Sequence, residues 1–452
     1  MVTAVLAVVA ASIIGPASNL ARADGHEGIQ VADQGAQSQF PNGVRFSLTA
    51  RSPDQIDDVR VFFRKADQRN RAYGAMEFAR GNEVRGEYLL RSGGGGGFIP
   101  PGTQIDYSFE VRDKVGRVHR TPEQRFIYLD NRFEWRTVSD GLITVYYYGE
   151  FVEKRAQTVL EAAQETLKQM GPVLGIQPIA PLRIVTYNNY RHMVAALPFR
   201  SQAVAEQLQT EGQAFSEERV LLVLGVSPTV RGIASHEFTH LLVAEAAGGA
   251  ISQVPDWLNE GLAEFANLEP TDSYEKALSR AIFTRRLKPL WYQRTFGGKP
   301  DDIIIAYGQG RSVVQFLVAK HGSAKIAELM RALQKTLDID KAMEEVYGFD
   351  QHGLDSQWRI ALGLEPLPPP RELERQLQAR AEATLTPSPA ASPTPEPTPV
   401  ASTGTEAGPR ASPGCSNPSR PGATTGDLAS LLLMGGPLAL LCRPLLRRRW
   451  PF

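Results

Sequence analysis

The hydrophobic period of this chain changes partway along its length, and that change limits the folds open to it. In residues 28–129 the stretches GVRFSLTA, DDVRVFFRK, EVRGEYLLR, IDYSFEVRD and QRFIYLD alternate apolar with polar residues. Turn signals separate them, among them Pro41-Asn42-Gly43, the glycine run 93–97 and Pro100-Pro101-Gly102. Short alternating segments punctuated in this way predict an antiparallel β-sandwich. Residues 227–364 carry the helical period almost throughout. Between the two regions, FEWRTVSDGLITVYYYG (133–149) reads as one strand opening a second unit, residues 151–170 read as an amphipathic helix, and PLRIVTYN and RVLLVLG (219–225) read as buried strands. Strands first and helices afterwards predict an α+β domain.

A chain of 452 residues exceeds what one hydrophobic core supports, so two folded domains with appendages are expected. The segment PPGTQIDYSFEVRDKVGRVHRTP resembles the late strands of an immunoglobulin or fibronectin type III-like module, which implies that class of all-β sandwich for residues 24–131. Lysine plus arginine and aspartate plus glutamate balance at 49 each, which removes the electrostatic case for a nucleic-acid surface and directs attention to local sites.

The two ends read as targeting segments. An apolar run over residues 5–14, followed by small residues and Ala21-Arg22-Ala23, predicts a signal peptide over residues 1–23, although no Lys or Arg precedes the run. The competing reading, an N-terminal anchor, requires a helix to cross the bilayer with an apolar run worth only about 15 Å. From about Thr384 a Pro/Ser/Thr-rich stretch reads as an extended stalk, so residues 367–426 are assigned to a helix remnant and stalk. The apolar segment that follows, ending in Arg447, Arg448 and Arg449, reads as a transmembrane anchor over residues 427–452 with its basic end in the cytoplasm. It also resembles a bacterial surface-protein sorting signal, which implies cleavage as the alternative. The two cysteines, Cys415 and Cys442, lie in this tail, so the folded part relies on its core and not on disulfides.

ASHEFTHLLV (234–243) places His236 and His240 four residues apart. On a helix they project from one face and can share a metal ion, and Glu237 can reach a water on that metal without ligating it. Two imidazoles leave a tetrahedral ion incomplete. WLNEGLAEF supplies a carboxylate, Glu260, twenty residues after His240. A His-His-Glu set leaves a fourth position for water, the mark of a catalytic zinc (Zn2+) site, where Glu237 would accept a proton as water attacks a carbonyl. Glu264, one turn past Glu260, is placed to orient a ligand imidazole; the alternative is a surface residue. His26, His119, His192, His321 and His352 have no partners at ligand spacing and read as surface or loop residues.

HEFTH followed by WLNEGLAEF resembles the gluzincin metallopeptidases, the clan of thermolysin and the zinc aminopeptidases, and most closely bacterial proteins with a peptidase MA-like domain. The resemblance implies such a domain over residues 132–366, with His236, His240 and Glu260 as zinc ligands and Glu237 as general base. It also implies Tyr307, in AYGQGRSVVQF, as the group that stabilises the oxyanion. GAMEF (74–78) imitates the amine-holding motif of the aminopeptidases but falls within the expected sandwich, and RVLLVLG, expected to line the cleft and to pair with an extended substrate, has no such glutamate. The expected activity is therefore a zinc-dependent endopeptidase, exported and tethered outside the cytoplasmic membrane, with peptide or protein as its partner. A surface-anchored binding protein with an inactive peptidase-like domain and a zinc aminopeptidase are the alternatives.

Overall fold

A computed structural model of the chain describes residues 28–65, 68–93, 97–149, 152–198, 211–296 and 300–385. The expected signal peptide and transmembrane segment, and the stalk beyond residue 385, lie outside these residues. Among the described residues, no helix is long and apolar enough to cross a membrane.

The N-terminal region is built from seven antiparallel strands: β1 (Gln30–Ser38), β2 (Gly43–Lys65), β3 (Ala72–Ala75), β4 (Gly81–Arg91), β5 (Gln104–Asp113), β6 (Val118–Arg120) and β7 (Gln124–Ile127). The expected strands GVRFSLTA and DDVRVFFRK are both parts of β2. Its first half pairs with β1 and β4, its second half with β3 and β5, and the register shifts between Arg51 and Asp58. Seventeen residues of straight strand would hold Phe46 and Phe63 more than about 50 Å apart. Their rings are 5.9 Å apart, so β2 doubles back and its two halves face each other across one core. Val44, Phe46, Leu48, Val59, Val61, Ile105, Phe109 and Val111 fill that core from alternate positions of their strands, which is the sequence periodicity made physical.

The second region has a five-stranded sheet in the order β11-β12-β10-β9-β8. The segment expected as one strand at 133–149 is a hairpin, β8 (Trp135–Ser139) and β9 (Ile143–Tyr148), because Asp140 and Gly141 turn the chain: Asp140 Oδ1 accepts from the backbone of Leu142 and Ile143, and Gly141 has φ +97°. β10 (Leu182–Tyr187) runs parallel to β9 and to β12 (Val220–Leu224). Every residue of β10 and β12 is buried, the expected outcome when parallel strands are covered on both faces. One face packs on α1 (Glu153–Leu174) and α3 (Val230–Ala247). The other meets α2 (Tyr190–Val194) and the N-terminal β-rich region through Phe40 and Leu129.

Sequence reading missed β11 (Gly212–Phe215), four residues antiparallel to β12. β12, the strand RVLLVLG, is therefore interior, with β10 on one side and β11 on the other, and it cannot accept an added strand. Among the described residues, the edge belongs to β11.

Among the described residues the remaining α-helices are α4 (Asp256–Ala266), α5 (Asp272–Phe283), α6 (Pro300–His321), α7 (Ala324–Thr336), α8 (Ile339–Tyr347), α9 (Gln351–Ala361) and α10 (Pro370–Leu385). α3 is buried on nearly all sides, and its hydroxyls are satisfied locally: Ser235 Oγ donates to Gly232 O and Thr239 Oγ1 to Ser235 O. α4 and α6 cross where two glycines meet. A Cβ on Gly261 would stand 2.5 Å from Gly310 O, and one on Gly310 would stand 2.7 Å from Trp257 O. That close approach brings Tyr307 of α6 to the helices that carry the histidines and Glu260.

Candidate metal centre

His236 and His240 project from one face of α3, and α4 lays Glu260 against them. All three side chains are buried. His236 Nε2 and His240 Nε2 are 3.3 Å apart; Glu260 Oε2 is 3.3 Å from the first and 3.5 Å from the second. Three ligand atoms of a tetrahedral ion with bonds of about 2.0–2.1 Å stand about 3.3–3.4 Å apart. The residues therefore fit a zinc ion in both spacing and chemistry, two imidazoles and one carboxylate. Glu260 Oε2 is moreover a buried acceptor with no hydrogen-bond donor of its own.

The opposite edges of both rings are held by α4. His236 Nδ1 is 2.7 Å from Glu264 Oε1, and His240 Nδ1 is 3.0 Å from Asn259 Oδ1, so the amide oxygen accepts and Nδ1 carries the proton. That tautomer leaves the His240 Nε2 lone pair facing the centre. Glu264 is fully buried, which rules out the surface alternative, and it also accepts from Asn267 Nδ2. Asn259 was not anticipated. Its one sequence signal is its place immediately before Glu260, which turns it toward the neighbouring edge of the same cluster.

Electrostatically the cluster calls for a cation. Burial alone would push both imidazoles down, but Glu260 and Glu264 outweigh it and hold His236 well above the usual imidazole value, and His240 is raised chiefly by Glu260. Burial pushes the Glu260 carboxyl up, yet the two histidines bring it down to about 2.

Glu237 is buried on α3, and β11 passes directly over it: a Cβ on Gly212 would fall 2.5 Å from Glu237 Cγ. The Tyr307 ring is also buried, 6.1 Å from the His236 ring, between a stacked Tyr274 at 5.4 Å and an edge-on Phe296 at 5.4 Å. Tyr274, a second residue absent from the sequence reading, has its hydroxyl pKa raised by burial and then by Glu264 and Glu260. The structure thus gathers His236, Glu237, His240, Glu260, Glu264 and Tyr307 in one region. GAMEF stays apart, in β3 and the bridge between Glu77 and Glu87 of the N-terminal β-rich region. Among the described residues no other histidine joins the cluster. His321 and His352 lie on helices, against Tyr347 and Trp291, and are not loop residues.

Residues 162–363 match the family model of the Peptidase MA superfamily. Among solved structures, yeast LTA4 hydrolase in complex with bestatin is similar at 13% identity, over 73% of this chain and 65% of that one, with a TM-score of 0.32. A bromine derivative of BhCBM56 is similar at 14% identity over 23% of this chain and 95% of that one, with a TM-score of 0.16. The cycloalternan-degrading enzyme of Trueperella pyogenes is similar at 9% identity over 23% of this chain and 16% of that one, with a TM-score of 0.15. No curated protein matches the chain.

Proposed function

We propose that this Peptidase MA superfamily domain is a zinc-dependent peptidase that cuts within peptide chains, exported and tethered outside the cytoplasmic membrane. The observation that carries the reading is the buried triangle of His236 Nε2, His240 Nε2 and Glu260 Oε2, with Glu237 beside the first ligand. These three residues would hold the ion, and zinc, when bound, supplies Lewis acidity to water and to a carbonyl. Glu237 accepts the proton of the attacking water and passes it to the departing amine. Tyr307 donates toward the oxyanion that develops at the carbonyl.

What borders Glu237 supports internal cutting. The four residues of β11, Gly212, Gln213, Ala214 and Phe215, carry no carboxylate to hold a free amine, Glu211 just before them accepts from Ser227 Oγ, and Glu77 belongs to the N-terminal β-rich region. An extended substrate adds to the edge of β11 by backbone hydrogen bonds. In this reading residues 1–23 are a signal peptide, 24–131 an immunoglobulin- or fibronectin-like module, 132–366 the peptidase domain, 367–426 a helix and stalk, and 427–452 a membrane anchor.

The test is mass-spectrometric mapping of cuts in a mixed peptide library by the wild-type chain and by Glu237→Gln. Internal cuts that fall by about 10²–10⁴-fold in the variant are expected. Removal of single N-terminal residues alone would move the assignment to an aminopeptidase. No cleavage, together with well under one zinc per chain, would overturn the reading in favour of a surface-anchored binding protein.

A further inference from the structure

β11 is four residues long and, among the described residues, is hydrogen-bonded on one side only, to β12. So short an edge strand is held weakly by its ladder alone. Its α3-facing residues, Gly212 and Ala214, lie on the helix that carries Glu237. Its other face and its turn are gripped by the sandwich. Phe215 packs on Phe98 with ring centroids 5.6 Å apart, and Glu218, in the turn between β11 and β12, accepts from Lys65 Nζ at 3.1 Å. Both partners of that ion pair are largely buried.

The grip continues along β10 and β12. A Cβ on Gly102 would fall 2.8 Å from Val185 Cγ2 and 3.1 Å from Val220 Cγ1, so the sandwich backbone rests directly on the two strands. Beside it Arg183 donates to Gln104 Oε1, both buried. Lys65 ends β2, and Phe98, Gly102 and Gln104 lie on the path from β4 into β5. One rim of the sandwich thus meets β10, β12 and the β11–β12 turn.

We infer that the sandwich is a working part of the metal site and not a spacer: Phe98 and the Lys65–Glu218 pair are positioning residues that hold β11 over Glu237. The inference takes the chemistry of the site from the reading above, but its first test is independent of activity. Hydrogen exchange is followed in the full chain for wild type, Phe98→Ala and the double variant Lys65→Met/Glu218→Gln, which removes the pair without leaving a buried charge alone. Exchange at residues 212–215 about tenfold faster in both variants, with β9 and β10 unchanged and zinc content preserved, is the expected result. Unchanged protection at β11, or an equal loss across all strands, overturns it.

With a peptide substrate, the same variants should lose about tenfold or more in kcat/KM, mainly through KM, because substrate pairs with the loosened strand. A lowered melting temperature with KM unchanged also overturns the inference. If the wild-type chain cuts nothing, the peptidase reading fails while the exchange result still decides the role of the sandwich.

Discussion

Glu264 Oε1 stands 2.7 Å from His236 Nδ1, at the edge of the imidazole opposite the Nε2 that converges with His240 and Glu260. A carboxylate in that place fixes the ring orientation and raises its basicity toward a metal. Glu264→Ala should weaken zinc binding about 10–100-fold, and Asn259→Ala, which removes a neutral acceptor from His240, should weaken it less. Competition titration with a zinc chelator measures both.

Removing the metal should cost global stability. Zinc at about 100 times its dissociation constant stabilises the folded state by about 2.7 kcal/mol, a shift of several degrees in melting temperature. Scanning calorimetry with and without chelator should show that shift for the wild type and none for Glu260→Gln.

Gly212→Ala should damage chemistry and spare the metal. The new Cβ would lie 2.5 Å from Glu237 Cγ and 2.8 Å from Ile233 Cγ2, so strand or base must move. A displacement of about 1 Å at the base is worth roughly a hundredfold in rate. Zinc content near wild type with kcat down by that order is the expected pair of results.

Gly261→Ala should act through the crossing of α4 and α6. Its Cβ would meet the backbone of Gly310, which cannot swing aside as a side chain can. The predicted cost is about 1–3 kcal/mol by denaturant unfolding, with an added loss of kcat as Tyr307 shifts relative to His236.

A pH dependence is expected at the domain junction. Burial pushes the Glu218 carboxyl above its ordinary 4.5, and Lys65 pulls it only part of the way back. The unfolded chain releases this proton near pH 4.5 while the folded protein holds it to higher pH. Between the two values the folded state binds more protons, so the contribution of Glu218 to stability falls as pH rises through that window. Melting temperatures measured from pH 4 to 7 should show a shallower decline for Glu218→Gln than for the wild type.

The parts of the site that were legible in the sequence are those set by single helices. His236, Glu237 and His240 fall on one helix, and Glu260 and Glu264 are one turn apart on another, so their relative positions follow from helix geometry. Asn259 was missed because its role depends on which edge of α4 meets His240, a matter of helix crossing. Phe98 and Lys65 were missed because their partners, Phe215 and Glu218, lie more than a hundred residues away. β11 was missed because four residues, two of them Gly212 and Gln213, carry no strand periodicity to read. The hairpin at 133–149 turns at Asp140-Gly141, a turn signal that was passed over, and the two strands read at GVRFSLTA and DDVRVFFRK are one β2 because the chain between them stays extended, which only its pairing shows.

By itself, then, the sequence determined the order of a β-rich region and an α+β domain, and which side chains of α3 and α4 could share a metal, because hydrophobic period and helical spacing are local properties. Tertiary structure alone decided that three ligand atoms from two helices meet within 3.5 Å, that β11 and not β12 borders Glu237, and that the sandwich grips that strand. Those relations come from close packing between segments far apart in the chain, at glycines such as Gly102, Gly212, Gly261 and Gly310, where an absent side chain decides how near two backbones can come.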